Sequence, residues 1–317
     1  MKFALWLGRR VVIIAIQLAA ISFIAFAVLY ITPGSPERIL LGTNNPSPEA
    51  LAAIRVRYHL DDPFLAQYGT WVRSAVHFNF GSSIQTGQPV STVVGDRLPV
   101  TLMLTLYATL LVVLTAVPLG LIAGLKSGKA VDRAISSATT VAVSAPSFAT
   151  GVVFLYVFAV LLGWFPTFGL GQGFVDQVWH LTLPAVTMAL TVTALVVRQT
   201  RAVSTVVASS DYVLFARARS VPSRFIWRRY LLRNSSMPLA TSFGLVLAFF
   251  LTGSVIVERT FALSGIGDLI LSSVSSKDVP VVQAVTVLAG MLVLLSNLAS
   301  DVAYMLIDPR VRKRVLG

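Results

Sequence analysis

The chain contains six long runs of apolar residues, and these runs limit the folds that are open to it. A helix needs about 20 predominantly apolar residues to cross the hydrocarbon core of a bilayer. The runs close to this length are Val11–Ile31, Leu98–Leu125, Ala134–Gly163, His180–Val197, Leu239–Val257 and Val281–Ile307. Only 12% of the residues are charged, which is about half the share that soluble domains carry. We therefore predict an all-α integral membrane protein with six transmembrane helices.

Proline interrupts the third run. Pro146 stands near its centre, with Ser144 and Ser147 close on either side. Proline removes a backbone hydrogen bond and kinks a helix, and serine can bond the freed backbone groups, as lipid-buried helices require. We expect a kinked third span. We expect the first run, residues 1–31 with its basic flank, to stay uncleaved, because it is longer than the apolar part of a signal peptide.

The basic residues predict which side of the membrane each connection faces. With six spans, 18 of the 25 lysine and arginine residues fall on one side. Cytoplasmic loops are rich in these residues, so both termini, the tail 308–317 and the segment 198–238 are predicted to be cytoplasmic. This arrangement accounts for the net charge of +12 without a nucleic-acid partner. The expected surroundings of the chain are the lipid bilayer.

Residues 32–97 form the expected external insertion between the first and second spans. Ser47-Pro48-Glu49 is typical of a helix start, with a capping residue, a proline and an acid in the first turn. A second amphipathic stretch includes Phe64, Tyr68 and Trp71. Two interpretations stay open. These helices rest on the membrane or on the ends of the spans, or they are a docking platform for an extracytoplasmic partner.

The residues that usually carry catalysis are sparse. Cysteine is absent, and the three histidines, His59, His77 and His180, do not form a paired zinc motif. No Gly-x-Ser-x-Gly nucleophile motif occurs. The segment 120–127 superficially resembles a phosphate loop, but it lacks the glycine before Lys126 and ends an apolar run instead of following a strand. We therefore expect no enzymatic activity, no metal site and no cofactor bound by this chain.

Ion-coupled transport requires ionisable groups within the membrane. Asp301 is the only such residue well inside a predicted span, and Glu258 lies at the outer end of the fifth span. A stand-alone ion-coupled secondary transporter or channel is therefore one alternative. It is the weaker one, because no pair of interrupted helices in matching halves indicates an inverted repeat.

The predicted cytoplasmic segment contains a short helix with clear end signals. Ser209 or Ser210 can cap its start, and Asp211 then lies near the positive end of the helix. Pro222 predicts its end, because proline disfavours helical structure at the residue before it. A second, basic helix is expected from Arg224.

We expect Tyr212, Phe215 and Ala216 to share one side of this short helix, with Arg219 contributing its apolar stem. One interpretation is a basic amphipathic helix held at the interface by anionic lipid. The other is a helix offered to a cytoplasmic partner. The sequence patterns so far leave both open.

The order of short motifs along the chain resembles a known family. In the segment 209–240 they are Asp211-Tyr212, Ala216-Arg217-Ala218-Arg219-Ser220 and Leu232-Arg233-Asn234 with Pro238. Elsewhere they include Leu60-Asp61-Asp62-Pro63, Gln67-Tyr68, Phe80-Gly81-Ser82-Ser83, Asp132-Arg133, Trp164-Phe165-Pro166, Gly265-Ile266-Gly267 and Asp308-Pro309-Arg310. Each motif alone is weak. Together they cover nearly the whole chain and resemble permease subunits of the dipeptide/oligopeptide/nickel family of ATP-binding-cassette importers, specifically the first, B-type, permease.

The resemblance implies a type I importer permease fold in the bacterial cytoplasmic (inner) membrane. It implies four kinds of partner: a second permease, two cytoplasmic ATP-binding subunits that use ATP and Mg, an external substrate-binding protein, and lipid. The residues that it assigns to ATPase coupling are Asp211, Tyr212, Phe215, Ala216, Arg217, Ala218, Arg219 and Ser220. The candidates for lining the pathway are Pro146, Ser147, Phe148 and Glu258. Peptides are the expected cargo, while family members also serve glutathione-like molecules, haem or nickel.

The chain departs from the family pattern at a few positions. Ser220 replaces a usual glycine, Arg219 a usual lysine, and Lys277 a usual arginine before Asp278. Serine can still end a helix, so we expect coupling to survive. A bulky or charged residue at Ala216 or Ala218 is expected to block docking of the ATPase.

Overall fold

Helices make up most of the computed structural model, which describes residues 2–31, 34–41, 47–57, 60–227, 230 and 232–307. Over these ranges the α-helices are α1 (Lys2–Ile31), α2 (Pro36–Leu41), α3 (Pro48–Arg57), α4 (Phe64–Val76), α5 (Val90–Leu125), α6 (Ala130–Ser144), α7 (Ser147–Phe154), α8 (Phe174–Ala208), α9 (Asp211–Ala218), α10 (Ser223–Ile226), α11 (Leu232–Thr260), α12 (Ile266–Ser275) and α13 (Val279–Ile307). A π-helix, Leu155–Leu161, follows α7. The predicted all-α class is confirmed for this part of the chain. His59 and the tail 308–317 lie outside the described residues.

The membrane spans are the longest of these helices. Within the described residues, four helices are long and apolar enough to cross a membrane: Leu5–Ile31, Val90–Leu125, Phe174–Ala208 and Val279–Ala303. The bent pair Ala130–Ser144 and Ser147–Leu161 adds a fifth if it counts as one span. The remaining run, Leu239–Val257, lies within α11, where the side chains of residues 233–243 are outside the description. The count of six therefore stays a prediction.

Two spans are longer than the sequence predicted. The second was expected to begin at Leu98, but α5 begins at Val90, directly after Pro89. Arg97 is thereby inside the helix, where its Nη1 lies 3.4 Å from Oδ2 of Asp268. This ion pair allows a charged residue to continue the helix past the end of the apolar run.

The fourth span shows the larger discrepancy. It was expected over His180–Val197, whereas α8 extends from Phe174 to Ala208. No helix breaker stands between Pro184 and Ala208, so the helix continues beyond the apolar run. The first part of the segment 198–238, predicted as a loop, is therefore the last three turns of α8.

Proline breaks the third span completely. α6 ends at Ser144 and α7 begins at Ser147, and the two axes differ by 100°. Pro146 takes an extended conformation with φ −59° and ψ 135°, and its carbonyl accepts the Thr150 N–H at 3.0 Å. The predicted interruption is confirmed, but it is a break between two helices and not a kink. The Ser144 hydroxyl donates to the Thr140 carbonyl in its own helix, at 2.9 Å.

The described chain folds as two units. The first, here the N-terminal unit, comprises residues 4–102 and 264–294. Its core is a cluster of buried side chains from α5, α12 and α13: Val90, Ile266, Leu269, Val281, Ala284 and Val285. The strand-like contact between Ser82 and Pro89 closes the loop that leads into α5. This cluster holds α5, α12 and α13 together within the unit.

In the same unit, α4 packs along α1 through aromatic rings. Phe26 of α1 lies 5.3 Å from Phe64 and 5.7 Å from Trp71, measured between ring centroids. The Tyr68 hydroxyl lies 2.7 Å from the Ser22 hydroxyl. The amphipathic stretch predicted from Phe64 onward is thus a helix whose apolar face is covered by a span. The packing leaves both interpretations of the insertion as predictions.

Polar contacts fix the ends of the short helices in this unit. Ser47 caps α3 as predicted, because its Oγ accepts the Ala50 N–H at 3.2 Å. Gln67 is buried and donates through Nε2 to the carbonyls of Asp62 at 2.8 Å and Leu60 at 3.1 Å. These bonds explain two of the short motifs, since the turn before α4 and the first turns of α4 depend on each other.

A buried carboxylate secures the loop before α5. Asp278, which follows α12, accepts the Ser83 hydroxyl at 2.5 Å. It also accepts the backbone N–H groups of Ile84 at 3.2 Å and Gln85 at 3.3 Å. Three donors therefore converge on one buried acid, a satisfied polar site of the kind that folded proteins require. We call this arrangement the Asp278 clamp.

The second, core unit contains residues 103–263 and 295–307. Its helices α5 and α8 lie very close to each other. A Cβ atom built on Gly120 would be 2.5 Å from Cβ of Thr200, and one on Gly124 would be 2.5 Å from Cβ of Ser204. Small residues at such positions allow helix backbones to approach in membranes. The glycines that superficially resemble a phosphate loop are therefore helix-contact residues.

Candidate functional site

The helix predicted in the segment 198–238 is α9, Asp211–Ala218, which follows α8 after only two serines. Ser210 is at the N-cap position with φ −70° and ψ 147°. Its carbonyl accepts the N–H groups of Val213 and Leu214, both at 3.0 Å. Its hydroxyl donates to the Val207 carbonyl at 2.6 Å, so the side chain caps the end of α8 and not the start of α9. The helix therefore begins where the sequence predicted. The Ser210 hydroxyl, however, bonds to α8 and does not cap the start of α9.

The end of α9 is a tight turn with a left-handed residue. Ser220 has φ +58°, and its N–H donates to the Arg217 carbonyl at 2.9 Å. The Val221 N–H donates to the Ala216 carbonyl at 3.1 Å. These two bonds define a Schellman motif, in which glycine is preferred at the left-handed position. Ser220 takes the geometry that the family's usual glycine would take.

One face of α9 is buried against the core unit. Val213 is fully buried and Ala216 is 7% exposed. They form a cluster with Leu121 of α5, Val207 of α8 and Ile226 of α10. We call these five residues the α9 seat. Because Val213 and Ala216 are three positions apart, they lie on the same side of the helix.

Phe215 and Ala216 follow Tyr212 by three and four positions, so the three residues lie along one arc of α9 as expected, but they are not exposed alike. Tyr212 is 47% exposed and Phe215 is 66% exposed, whereas Ala216 faces the seat. Sequence reasoning grouped the aromatic rings with the alanine because all are apolar, but the space beneath α9 admits only Val213 and Ala216. A substitution at Ala216 would therefore act first on the fold. Ala218 is exposed and keeps its predicted position at the surface.

The opposite side of α9 carries both apolar and cationic groups. Leu214, which the sequence analysis did not select, is 51% exposed beside Phe215. The Arg219 guanidinium lies 6.0 Å from the centre of the Phe215 ring. We define the outer face of α9 by six exposed side chains that follow the exposed Asp211, namely Tyr212, Leu214, Phe215, Arg217, Ala218 and Arg219. Large exposed apolar groups on a helix of eight residues indicate a contact surface.

The expected second helix begins as α10, and its length stays a prediction because residues 228, 229 and 231 lie outside the described part of the chain. α10 spans Ser223–Ile226, so it begins one residue before the predicted Arg224. Phe225 is about half exposed while Ile226 joins the seat. The ring of Tyr230 lies 5.7 Å from that of Tyr212 and 6.2 Å from that of Phe225. These rings extend the outer face beyond α9.

An ion pair that the sequence analysis did not predict ties α6 to α8. Arg201 Nε lies 2.5 Å from Asp132 Oδ1, and Arg201 Nη2 lies 2.8 Å from Oδ2. The Gly128 N–H adds a third bond to Asp132, at 2.9 Å. Two parallel bonds between a guanidinium and a carboxylate fix both groups in orientation. The available signal was Asp132, one of few acids on the basic side, but Arg201 had been assigned to a loop.

The pathway candidates divide into an exposed group and a buried residue. Phe148 is 56% exposed at the start of α7, next to Pro146 and Ser147, whereas Glu258 near the end of α11 is fully buried. One turn after Phe148, a Cβ on Gly151 would lie 3.3 Å from side-chain atoms of Thr260 and Phe261. The start of α7 and the end of α11 are therefore close neighbours within the core unit.

The apolar helices make this chain a multi-pass membrane protein, and comparison with known families makes the class specific. Residues 116–313 match the model described as "binding-protein-dependent transport system inner membrane component". Residues 3–105 match the model of the N-terminal part of such membrane components. The chain belongs to this family. It is a permease subunit and not an enzyme, as the sequence predicted.

Similar proteins match along almost their whole length. A putative peptide transport system permease protein of Brucella melitensis is 33% identical, with 98% of this chain and 99% of the relative covered. An oligopeptide transport system permease protein of Bacillus subtilis is 32% identical, with 97% and 99% covered. A glutathione transport system permease protein of Escherichia coli is 33% identical, with 92% and 94% covered.

Proposed function

We propose that this chain is the B-type permease subunit of an ATP-driven importer of peptides in the bacterial cytoplasmic membrane. The family and the names of the relatives support the class and the cargo. In this proposal the chain crosses the membrane six times in a type I permease fold, and both termini are cytoplasmic. Residues 32–97 face outward. A second permease completes the pathway, and an external binding protein delivers the peptide.

The two faces of α9 carry the proposal for coupling. Val213 and Ala216 hold the helix on its seat, while Leu214 and Phe215 stay exposed with Arg217 and Arg219 beside them. A short helix that is fixed on one side and apolar on the other suits a groove in a partner protein. We assign that partner to one of two cytoplasmic ATPase subunits. Those subunits use ATP and Mg, and this chain binds neither.

Motion of α9 has a direct route into the long helices. α9 follows α8 after two residues, and α8 is joined to α6 by the Asp132–Arg201 ion pair and to α5 by the Gly120 and Gly124 contacts. When the ATPases close on ATP, they would displace α9, and these helices would rotate together as one body. The ATPase must therefore bind α9 both when the ATPase pair is open and when it is closed. ATP drives the change only because it binds the closed state more tightly than the open one.

The pathway is proposed to lie between this chain and the second permease, near α7 and the end of α11. Pro146, Ser147 and Phe148 begin α7 at the 100° break, and this break exposes the Phe148 ring. Glu258 stays a pathway candidate in this proposal through its place near the end of α11, although its side chain is buried within the core unit. Helix breaks at membrane depth are tolerated where they line a cavity or are buried in protein.

Replacing Phe215 with glutamate tests the coupling assignment. Phe215 is exposed, so Phe215→Glu should leave the fold intact but place a charge in an apolar contact, which is costly when desolvated. We expect at least a tenfold loss of ATPase subunits that co-purify with the chain, and loss of ATP-driven peptide uptake in proteoliposomes. Phe168→Glu is the matched control, because Phe168 is 74% exposed and lies far from α9 in sequence.

Equal retention of ATPase by Phe215→Glu and Phe168→Glu would contradict the assignment of α9. Peptide uptake that follows an imposed proton gradient and ignores ATP would instead support the stand-alone transporter. The two outcomes are independent, so the coupling site and the importer class can fail separately.

A further inference from the structure

A cavity of about 540 Å³ lies within the N-terminal unit. It is bounded by α1, α4, α5 and α13, all of which contribute residues to that unit. On α1 the lining runs from Ala15 to Ser22, which is the middle of the apolar stretch Leu5–Ile31. On α13 the lining runs from Ala284 to Met291, which is also inside a candidate span. These two walls therefore lie at the depth of lipid chains, while α4 and the start of α5, which belong to segment 32–97, close the outer end of the cavity.

The lining of the cavity is almost entirely apolar. Its walls include Leu18, Trp71, Leu98 and Met291, and none of its lining residues is charged. The hydroxyls of Ser22 and Tyr68 bond to each other at 2.7 Å, and that of Tyr68 also lies 3.2 Å from the Ala19 carbonyl. These polar groups therefore need no ligand. A peptide would bring charged termini into a site with no partner for them, which is unfavourable.

The size of the cavity fits one hydrocarbon chain. A dry cavity of about 150 Å³ holds benzene, which has six carbon atoms, so a volume of about 540 Å³ holds roughly twenty carbons. That is the size of one acyl chain of a membrane phospholipid. We propose that this cavity is a saturable binding site for a single phospholipid acyl chain. This site is separate from the peptide pathway and from α9.

Two small residues allow the cavity to be filled. Gly95 lines it, and a Cβ atom on Gly95 would meet nothing within 4 Å. Gly95→Leu therefore adds an apolar side chain whose Cβ has open space and whose remaining carbons take up volume in the cavity. Gly69→Leu is the matched control, because Gly69 also has open space at its Cβ but is not part of the lining. Ala19→Leu, which is exposed to the same cavity, is a second filling variant should Gly95→Leu fail to fold.

The experiment uses Trp71 as a reporter, because this half-buried residue lines the cavity. The full-length chain, purified with its co-expressed partners in detergent, is titrated with phosphatidylcholine that has brominated acyl chains. The Trp71 signal is the difference in quenching between the chain and Trp71→Phe. We expect saturation near one lipid per chain. Gly95→Leu and Ala19→Leu should weaken the saturable binding at least tenfold, while Gly69→Leu should keep it.

Brominated phosphatidylglycerol should bind within threefold of phosphatidylcholine, because no charged side chain lines the cavity to select a headgroup. Quenching that rises linearly without saturation would overturn the proposal, since it would report ordinary contact with bulk lipid. Saturable quenching that Gly95→Leu and Ala19→Leu leave unchanged would also overturn the proposal, because the lipid would then bind elsewhere. Absence of any Trp71 quenching in a folded complex would show instead that a partner protein covers the cavity.

Discussion

Helices α9 and α12 are similar in length and in the way they end, but they are held in different ways. Each is short and follows a long helix after a brief turn. Each ends in a Schellman motif with a non-glycine residue at the left-handed position, Ser220 in one and Lys277 in the other. In α12 the Asp278 N–H donates to the Ser273 carbonyl at 2.8 Å, as Val221 does to Ala216 in α9. The local geometry of the two helix ends is therefore the same.

The difference lies in what surrounds them. α12 is fixed by polar contacts at both ends: the Ile266 N–H donates to Thr101 Oγ1 at 2.8 Å, Asp268 pairs with Arg97, and Asp278 forms its clamp. α9 rests on the apolar seat through Val213 and Ala216 and leaves its outer face exposed. α12 is therefore held by polar and apolar contacts within its own unit. α9 is held through one face only, and its outer face is the surface that we propose for the ATPase subunit.

The largest expected effect comes from removing the clamp of α12. Asp278→Ala would leave the Ser83 hydroxyl and the Ile84 and Gln85 N–H groups without their acceptor, at a cost on the order of 3–5 kcal/mol of stability. Thermal unfolding of the purified complex, followed by circular dichroism, measures this loss. The control is Asp61→Ala, an exposed acid in the same unit, which should change stability by less than about 0.5 kcal/mol. Equal shifts for the two variants would mean that α12 is not held by its clamp.

A smaller effect is expected at the seat of α9. Ala216→Leu adds three carbons to a filled cluster, and overpacking of this kind costs about 1–3 kcal/mol. Ala218→Leu makes the same change on the outer face, so it should leave stability within about 0.5 kcal/mol but weaken retention of the ATPase. Unfolding temperature and co-purification of the ATPase, measured side by side, separate the two positions. If Ala216→Leu lost the ATPase while unfolding like the parent chain, the assignment of the seat would be wrong.

The smallest effect tests the feature that the two helices share. Ser220→Gly and Lys277→Gly each relieve a left-handed residue and should stabilise the chain by about 0.5–1 kcal/mol, since the greater freedom of glycine in the unfolded chain offsets part of the gain. Ser220→Val should destabilise, because a β-branched residue tolerates positive φ poorly. Differential scanning calorimetry of the three variants measures their order of thermal stability. A valine variant as stable as the glycine variant would argue against the left-handed conformation.

Apolar patterning was sufficient to predict the class of fold and most of the spans. Long runs without charge, such as Val11–Ile31, require no knowledge of tertiary contacts, and Pro146 broke the third run where expected. Helix limits were less predictable, because a charged residue can stay helical when a distant partner accepts it. Arg97 pairs with Asp268 inside α5 in this way. Arg201 lies in the part of α8 that continues because no helix breaker follows Pro184, and it pairs with Asp132. Neither pairing can be read from local sequence.

For the candidate site, too, the sequence predicted the features that depend on neighbouring residues and missed those that depend on distant ones. Ser210 and Asp211 marked the start of α9 at the right position, because N-cap preferences are local. Pro222 indicated the region of its end, but the helix ends at Ala218 through the turn at Ser220. Which side of α9 is buried depends on the space left between α5, α8 and α10. That space accepts Val213 and Ala216 and excludes the rings of Tyr212 and Phe215. The Asp278 clamp was likewise hidden, because Ser83 and Asp278 are far apart in sequence.

The close approach of α5 and α8 also constrains how this chain and its relatives can diverge. No side chain fits at Gly120 or Gly124 while Thr200 and Ser204 keep their size and place, because even one added carbon would overlap them. At position 120 a side chain is tolerable only opposite a glycine at position 200, because the conflict is with the Cβ atom of Thr200. At position 124 the backbone carbonyl oxygen of Arg201 would also lie 2.8 Å from the added Cβ, so no change of side chain at position 204 makes room. Glycine should therefore persist at position 124 across aligned relatives, and a larger residue at position 120 should occur only together with glycine at position 200.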